Sequence, residues 1–242
     1  DIGFTYDADG DRIGIVDDKG GIIWNDIIVA LMAADVLAYH PNSVITFNTL
    51  CSKLVQETII KNGGKPNMVR TGHSFVKKYN KEAGGAFAGE LSGHFFFSAD
   101  FYNHDDGFYS TARMLDYLGR TGQKLSQAVA ALPQYISSPE IKIGSSDDQK
   151  VALMDKIAQV LKQDYPDAEI ISDERRAGDG VRLELSDGMF VVRYSQNGPY
   201  ITIKFESRTQ DGYEVLKKYI SQLLHSYSEV DWTYGVNVES LE

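Results

Sequence analysis

Four groups of residues in this chain have the types and spacing to do chemistry. Asp7-Ala8-Asp9-Gly10-Asp11-Arg12 places a carboxylate at every second position. In an extended loop all three side chains point to one side, and gathered carboxylate oxygens suit a hard divalent cation such as Mg2+. Without a cation, their repulsion raises at least one pKa. Arg12 then lies beside the metal, placed to hold a phosphate that the metal also touches. A second group, Gly89-Glu90-Leu91-Ser92-Gly93-His94, crowds a carboxylate, a hydroxyl and an imidazole between two glycines. It sits where Ala86-Phe87-Ala88 gives way to Phe95-Phe96-Phe97, and polar groups at a glycine-flanked strand end can grip a hydroxylated ligand. The third, Arg70 to Lys77 with Thr71-Gly72-His73-Ser74 at its centre, follows a strand and opens a helix. Helix N-terminal donors there favour a phosphate or sugar oxygen, and His73 is a candidate proton shuttle. The fourth, Arg193-Tyr194-Ser195-Gln196-Asn197-Gly198-Pro199, gathers a guanidinium, a hydroxyl and an amide in one turn, a candidate phosphate cradle.

Each group has a plainer reading. The aspartates could form a solvated acidic turn, the hexapeptide a tight turn, and the last group a polar hairpin. Ser74 could simply cap a helix beside a half-exposed His73. An EF-hand needs glycine where Arg12 stands and glutamate where Asp18 stands, so that reading fails. Adjacent His73 and Ser74 do not make a nucleophilic triad. A haloacid-dehalogenase-like phosphatase stays open: it too starts with a strand and D-x-D, Asp7 being the nucleophile. Gly178-Asp179 with Glu184 would pass for its distal metal motif.

Strand and helix alternate around these groups. Ile2 to Val16 reads as two strands joined by the acidic loop, and a helix follows from Asn25 to about Tyr39, capped by Asn25 or Asp26. Val44 to Phe47 reads as a strand, about Ser52 to Asn62 as a helix ended by Gly63-Gly64, and Asn67 to Arg70 as a strand. Helices are expected over about Ser74 to Glu82 and Asp106 to Leu118. This is the pattern of a layered α/β domain with mostly parallel strands, whose ligands bind beyond the carboxyl ends of those strands. Pro133 to Pro139 reads as a linker. Beyond it come a strand near Ile141, a helix over about Asp147 to Gln163, strands between Glu169 and Phe205, and a helix over about Gly212 to Ser226. That order predicts an α+β domain with an antiparallel sheet.

At 242 residues, 43% hydrophobic and 24% charged, the chain has the composition of soluble globular domains. Its net charge of −10 argues against non-specific nucleic-acid binding, and no apolar run is long enough for a membrane span. The lone Cys51 excludes an internal disulfide and fits a reducing cytoplasm. The first residues, Asp1-Ile2-Gly3-Phe4, lack an initiator Met and a signal-peptide pattern, which suggests a truncated or processed product.

In this order the loops resemble those of the α-D-phosphohexomutases, in their phosphomannomutase/phosphoglucomutase branch. Asp7 to Arg12 resembles the family's Mg2+ loop, Asp-x-Asp-x-Asp-Arg, and Gly89 to His94 its sugar loop, Gly-Glu-Met-Ser-Gly-His, with Leu91 for methionine. Thr71 to Ser74 resembles the Thr-Gly-His-Ser segment of the same cleft. Arg193 to Pro199 resembles the phosphate loop Arg-x-Ser-Asn-Thr-x-Pro. The resemblance implies phosphate transfer between O1 and O6 of a hexose by an enzyme phosphoserine, through a 1,6-bisphosphate that reorients. It makes Asp7, Asp9 and Asp11 the Mg2+ ligands, and Arg12 a residue positioning the phosphoserine. Glu90 and Ser92 would bind sugar hydroxyls, and His73 and His94 become candidates for contact or proton transfer. Arg193, Ser195 and Asn197 would grip the phosphate that is not reacting. Leu91 in the sugar loop favours hexose over hexosamine.

The departures matter equally. The family carries its serine in a Thr-x-Ser-His-Asn-Pro type loop of the first of four domains, and no such loop occurs here. Residues 1–21 would be the end of a second domain, 22–134 the sugar-binding domain and 135–242 the phosphate-binding domain. The expected consequences are missing N-terminal domains, no mutase activity alone and poor Mg2+ affinity. The strands of residues 1–21 would pack on the sugar-binding domain, pair with another copy, or stay mobile. A lysine common in the family just before Cys51 is Leu50 here. A non-catalytic sugar-phosphate-binding module is the remaining alternative.

Overall fold

Short apolar runs broken by turns fold first into a small antiparallel sheet: β1 (Gly3–Tyr6), β2 (Ile13–Val16) and β3 (Ile22–Ile23), in that order. The computed structural model describes residues 1–242. Tyr6 pairs with Ile13, so the aspartate loop is the connection between two registered strands. Alternation along β2 buries Ile13 and Ile15 and leaves Gly14 and Val16 partly exposed.

Helix α1 (Asn25–Tyr39) buries ten of its fifteen residues, because its apolar run continues around the helix instead of forming one stripe. Neither Asn25 nor Asp26 caps it, contrary to the sequence expectation. Trp24 holds the N-cap position without a side-chain bond, while Asp26 Oδ2 accepts from Ser52 N–H at 3.2 Å. The polar residue at the helix start is drawn away to a neighbouring element. There follow β4 (Val44–Asn48), α2 (Lys53–Lys61), β5 (Lys65–Val69), α3 (His73–Glu82), β6 (Phe87–Gly89), β7 (Phe95–Phe96), α4 (Gly107–Thr121) and α5 (Leu125–Ala130). The strands form a sheet in the order β5-β4-β6-β7, with β4 parallel to β5 and β6, and β7 antiparallel at one edge. The turn after α2 closes as expected through Gly63, whose φ is +74°.

The second half consists of β8 (Ile136–Ser137), β9 (Ile141–Gly144), α6 (Lys150–Asp164), β10 (Glu169–Ile171), β11 (Gly180–Glu184), β12 (Gly188–Tyr194), β13 (Tyr200–Ser207), α7 (Gln210–His225) and β14 (Asp231–Val236). A short 3-10 turn, Val238–Leu241, closes it. Its sheet runs β10-β11-β12-β13-β9-β14 with β8 against β13, and every pairing is antiparallel. The core under it joins Leu153, Ile157 and Leu161 of α6 to Ile220 and Leu224 of α7 and the inward strand residues Phe190 and Ile203.

The chain divides into two units, Asp1–Gln134 and Tyr135–Glu242. The boundary falls within Pro133 to Pro139, but that stretch is not wholly a linker: Ile136 and Ser137 pair with Ser207 and Glu206. The mixed α/β first unit and antiparallel second unit follow the expected fold class. No helix is long and apolar enough to cross a membrane.

Candidate functional site

The parallel strands end together. Beyond β4 comes Thr49, beyond β5 come Arg70 and Thr71, and beyond β6 comes Glu90, so three loops meet at one end of the sheet. The hexapeptide is the tight turn joining β6 to the antiparallel β7. Glu90 N–H donates to His94 O at 3.0 Å and Gly93 N–H to Glu90 O at 3.0 Å. The turn reading and the ligand-loop reading therefore describe one object. Ser92 is exposed at its tip, while Glu90 is fully buried and its Oε2 accepts from Gly72 N–H at 3.0 Å.

Asn48 was not singled out from the sequence, yet it joins these loops. Its Nδ2 donates to Thr71 Oγ1 at 3.2 Å, and its Oδ1 accepts from Leu91 N–H at 3.1 Å. One buried amide thus spans the segments on either side of its strand. Its only sequence signal was an amide at the end of an apolar run.

The aspartate loop is seated on the hexapeptide by backbone contacts. Ile13 N–H donates to Gly93 O at 3.3 Å, Arg12 and His94 form a single antiparallel bridge, and Gly107 N–H donates to Gly10 O at 3.1 Å. Gly93 has φ +96°, and a Cβ there would stand 2.6 Å from Ile13 O. A Cβ on Gly107 would stand 2.6 Å from Gly10 O. Both glycines permit an approach that no other residue allows.

This seating brings the expected residues together. Asp7, Asp9 and Asp11 each offer an oxygen within 4.8 Å of the others. Arg12 Nε donates to Asp7 Oδ2 at 2.5 Å and Arg12 N–H to Asp7 Oδ1 at 3.2 Å. Against the desolvation Asp7 undergoes, these bonds and the guanidinium charge hold its pKa down at about 2. Asp11 moves the other way: burial, together with Asp9, Asp7 and Asp105, raises it, despite the pull of His94. His94 Nδ1 lies 3.8 Å from Asp11 Oδ2 and 2.9 Å from Asp105 Oδ2. Burial lowers the His94 pKa, helped by Arg12 and His73 and opposed by the two carboxylates. The imidazole is thereby favoured in its neutral form. His73 stacks obliquely on it, ring centroids 5.4 Å apart, and itself heads α3 at an N-cap formed by Gly72, not Ser74.

Asp105 is the second residue that sequence reasoning missed. It is 6% exposed, and its Oδ1 is 2.8 Å from His104 Nδ1. Burial would raise its pKa, but that hydrogen bond and the charges of His94 and His73 outweigh it and leave the carboxylate below its ordinary range.

In the second unit Arg193 is not free to swing. Its Nη2 and Nε donate to the fully buried Asp179 Oδ2 at 2.5 and 3.1 Å. Ser195 Oγ accepts from Asn197 N–H at 3.0 Å, and Lys150 Nζ donates to Ser195 O at 2.6 Å and Gly198 O at 3.0 Å. The turn is therefore pre-shaped, with Gln196 and Asn197 at its exposed tip. Lys150, the residue that holds it, had no sequence signal beyond its helix.

The phosphatase alternative loses its basis here. Asp7, its nucleophile, already accepts hydrogen bonds from Arg12 on both carboxylate oxygens. Asp179 and Glu184 are also engaged, by Arg193 and Arg182.

Comparison with known proteins agrees with this geometry. Residues 24–135 match the sequence family described as phosphoglucomutase/phosphomannomutase, alpha/beta/alpha domain III. The chain is 38% identical over 207 residues to the phosphomannomutase/phosphoglucomutase of Pseudomonas putida, a match covering 86% of this chain and 43% of that protein. It is 35% identical over 237 residues to a phosphoglucomutase of Neisseria meningitidis serogroup A, covering 96% of this chain and 49% of that one. Among solved structures, a phosphoglucomutase/phosphomannomutase family protein from Burkholderia thailandensis superposes with a TM-score of 0.82 at 34% identity, over 93% of this chain and 46% of that chain. The chain thus spans about half the length of the curated relatives it matches.

Proposed function

The chain belongs to the α-D-phosphohexomutase family, in its phosphomannomutase/phosphoglucomutase branch, and on that premise we propose that its site serves reversible phosphate transfer between O1 and O6 of a hexose. The observation that carries this reading is the docking of the aspartate loop on the hexapeptide, which sets Asp11 3.8 Å from His94 at the ends of parallel strands. A group that handles phosphate and a group that handles hydroxyls then share one surface.

Asp7, Asp9 and Asp11 would hold Mg2+, which when bound offsets the charge of the phosphoryl oxygens. The donor set fits such an ion: three carboxylates in mutual reach, with Asp11 Oδ1 shut from solvent and lacking a hydrogen bond. With Nε held by Asp7, Arg12 presents the rest of its guanidinium to a phosphate oxygen, including that of a phosphoserine. His94 faces Asp11 and Asp105 through Nδ1, so Nε2 is the nitrogen left to exchange a proton with a sugar hydroxyl. His73 flanks it and serves as an alternative proton carrier or phosphate contact. Ser92 at the tip of the turn would meet sugar hydroxyls, whereas Glu90, expected to do the same, is fully buried and holds Gly72 N–H. Within the second unit, Arg193, Ser195 and Asn197 would bind a phosphate, with Asp179 and Lys150 holding that turn in shape.

The 242 residues contain no serine loop of the family's kind, so we propose that they bind hexose phosphate without turning it over. The test mixes the chain with the N-terminal half of a phosphoserine-bearing relative and follows conversion of glucose 1-phosphate to glucose 6-phosphate. Conversion that Asp9→Asn abolishes supports the reading. No conversion, together with no binding of glucose 1-phosphate in calorimetry, overturns it.

A further inference from the structure

Asp11 belongs to two clusters, and the mutase reading uses only one of them for a metal. Asp11, His94 and Asp105 also offer one ligand atom each within 4.8 Å of the others. These are not solvated groups: His94 is 9% exposed and Asp105 6%. His94 Nδ1, Asp105 Oδ2 and Asp11 Oδ1 are each shut off from solvent, and none makes a hydrogen bond. The imidazole nitrogen is within ion-pair reach of both carboxylates, at 2.9 Å from Asp105 and 3.8 Å from Asp11, but is not aligned for hydrogen bonding with either. A proton on Nδ1 could satisfy one of these contacts. A cation held by Nδ1, Asp105 Oδ2 and Asp11 Oδ2 satisfies both.

We propose that Asp11, His94 and Asp105 form a transition-metal site, of the class filled by Zn2+, whose ligand set shares only Asp11 with the three-aspartate cluster. The distances suit it. A tetrahedral ion with bonds of about 2.0–2.1 Å spaces its ligand atoms by about 3.3–3.4 Å, and the two edges seen here, 2.9 and 3.8 Å, straddle that value. The donors suit it as well, since an imidazole nitrogen suits Zn2+ whereas Mg2+ takes oxygen ligands. Three protein ligands leave a position open, and Asp11 and Asp105 line an open groove of about 620 Å3. Lys77, Lys78 and Lys81 line the same groove and favour water or an anion in that position. The far oxygen of Asp105 stays on His104 Nδ1, which fixes the carboxylate's orientation as an outer partner does in metal sites.

Ligation through Nδ1 confines the His94 proton to Nε2. In that state His94 can donate a hydrogen bond but cannot accept a proton, so an occupied site would suppress any proton transfer assigned to it. The metal proposal itself does not depend on the mutase reading, because neither sugar nor phosphate enters it.

The test uses the full 242-residue chain and the metals alone. Co2+ titration should produce visible absorption bands of a nitrogen-containing site, and Zn2+ should compete them away. His94→Gln and Asp105→Asn should each weaken Zn2+ binding at least tenfold in calorimetry. Asp9→Asn should leave Zn2+ binding within threefold while weakening Mg2+. Should either ligand variant fail to fold, 15N spectra of the wild-type histidines with Co2+ decide the matter: a contact shift at His94 Nδ1 is expected. An unshifted His94, no Zn2+ binding, or Zn2+ binding lost in Asp9→Asn and intact in Asp105→Asn would each overturn the proposal.

Discussion

Replacing Gly93 with alanine should unseat the aspartate loop, and the size of the effect has two contributions. The φ of +96° strains any residue with a Cβ by about 1–3 kcal/mol. The new Cβ would also stand 2.6 Å from Ile13 O and 2.8 Å from Asn25 Nδ2, so β2 must back away and lose the bond from Ile13 N–H to Gly93 O. That bond is worth about 1 kcal/mol. Together the loss is about 3 kcal/mol, or about a hundredfold in the opening equilibrium. Gly84→Ala is the matched control, because Gly84 has φ +61° and nothing within 4 Å of a Cβ. It should cost only the strain, about 1 kcal/mol, or about fivefold. Both changes restrict the unfolded chain equally, so their difference reports the close approach together with the extra backbone strain at φ +96°. Cys51 reports the result: it is the single cysteine, fully buried in the first unit, and its labelling by a thiol reagent tracks opening of that unit. A Gly93→Ala chain that labels no faster than Gly84→Ala would refute the argument that backbone contact seats the loop.

Asn48→Ala should destabilise the first unit by about 1–2 kcal/mol, since it strands a part-buried Leu91 N–H and Thr71 hydroxyl, seen as a lower urea midpoint in circular dichroism. In the second unit, Arg193→Ala should cost about 3–5 kcal/mol by leaving Asp179 charged, fully buried and without its guanidinium, seen as a lower urea midpoint in Trp232 fluorescence. Asp100 supplies a pH dependence: burial alone would raise its pKa, but hydrogen bonds from Arg113 and His40 lower it. Its contribution is therefore full above the ordinary carboxylate pKa of about 3.9 and fades as pH falls through the lowered value. Between pH 5 and pH 2, taken as about the range of that change, wild type should lose more stability than Asp100→Asn in acid unfolding.

Long elements with sharp ends were legible in the sequence. The helix expected over Asn25 to about Tyr39 forms over that span, although its N-cap is Trp24. The parallel strands and the turn at their end were marked by apolar runs punctuated by glycine. Elements defined by distant partners were not legible. Strands β3 and β8 are two residues long and exist only because β2 and β13 pair with them. Helix α5 buries just Leu125 and Ala128, too few to set a period. Strand β14 is nearly all exposed and is interrupted by a register shift between Asp231 and Gly235, so it shows no alternation. At the site, residues in motifs stood out, whereas Asn48, Asp105 and Lys150 act by reaching across to other loops. A one-dimensional pattern does not record which loops those are.

The clasp between the two ends of the first unit bears on how the protein is made. Tyr6 meets Thr111, 105 residues further along, and Asp18 receives Ser126 N–H and Oγ from 108 residues away. At a synthesis rate of about 5–20 residues per second, the hairpin carrying the three aspartates waits about 5–20 seconds for the surface that receives it. Until then β1 and β2 are a lone ribbon of marginal stability with open edges. The residues suited to hold a cation thus reach their final setting only once chain made more than a hundred residues after them has folded against their strands.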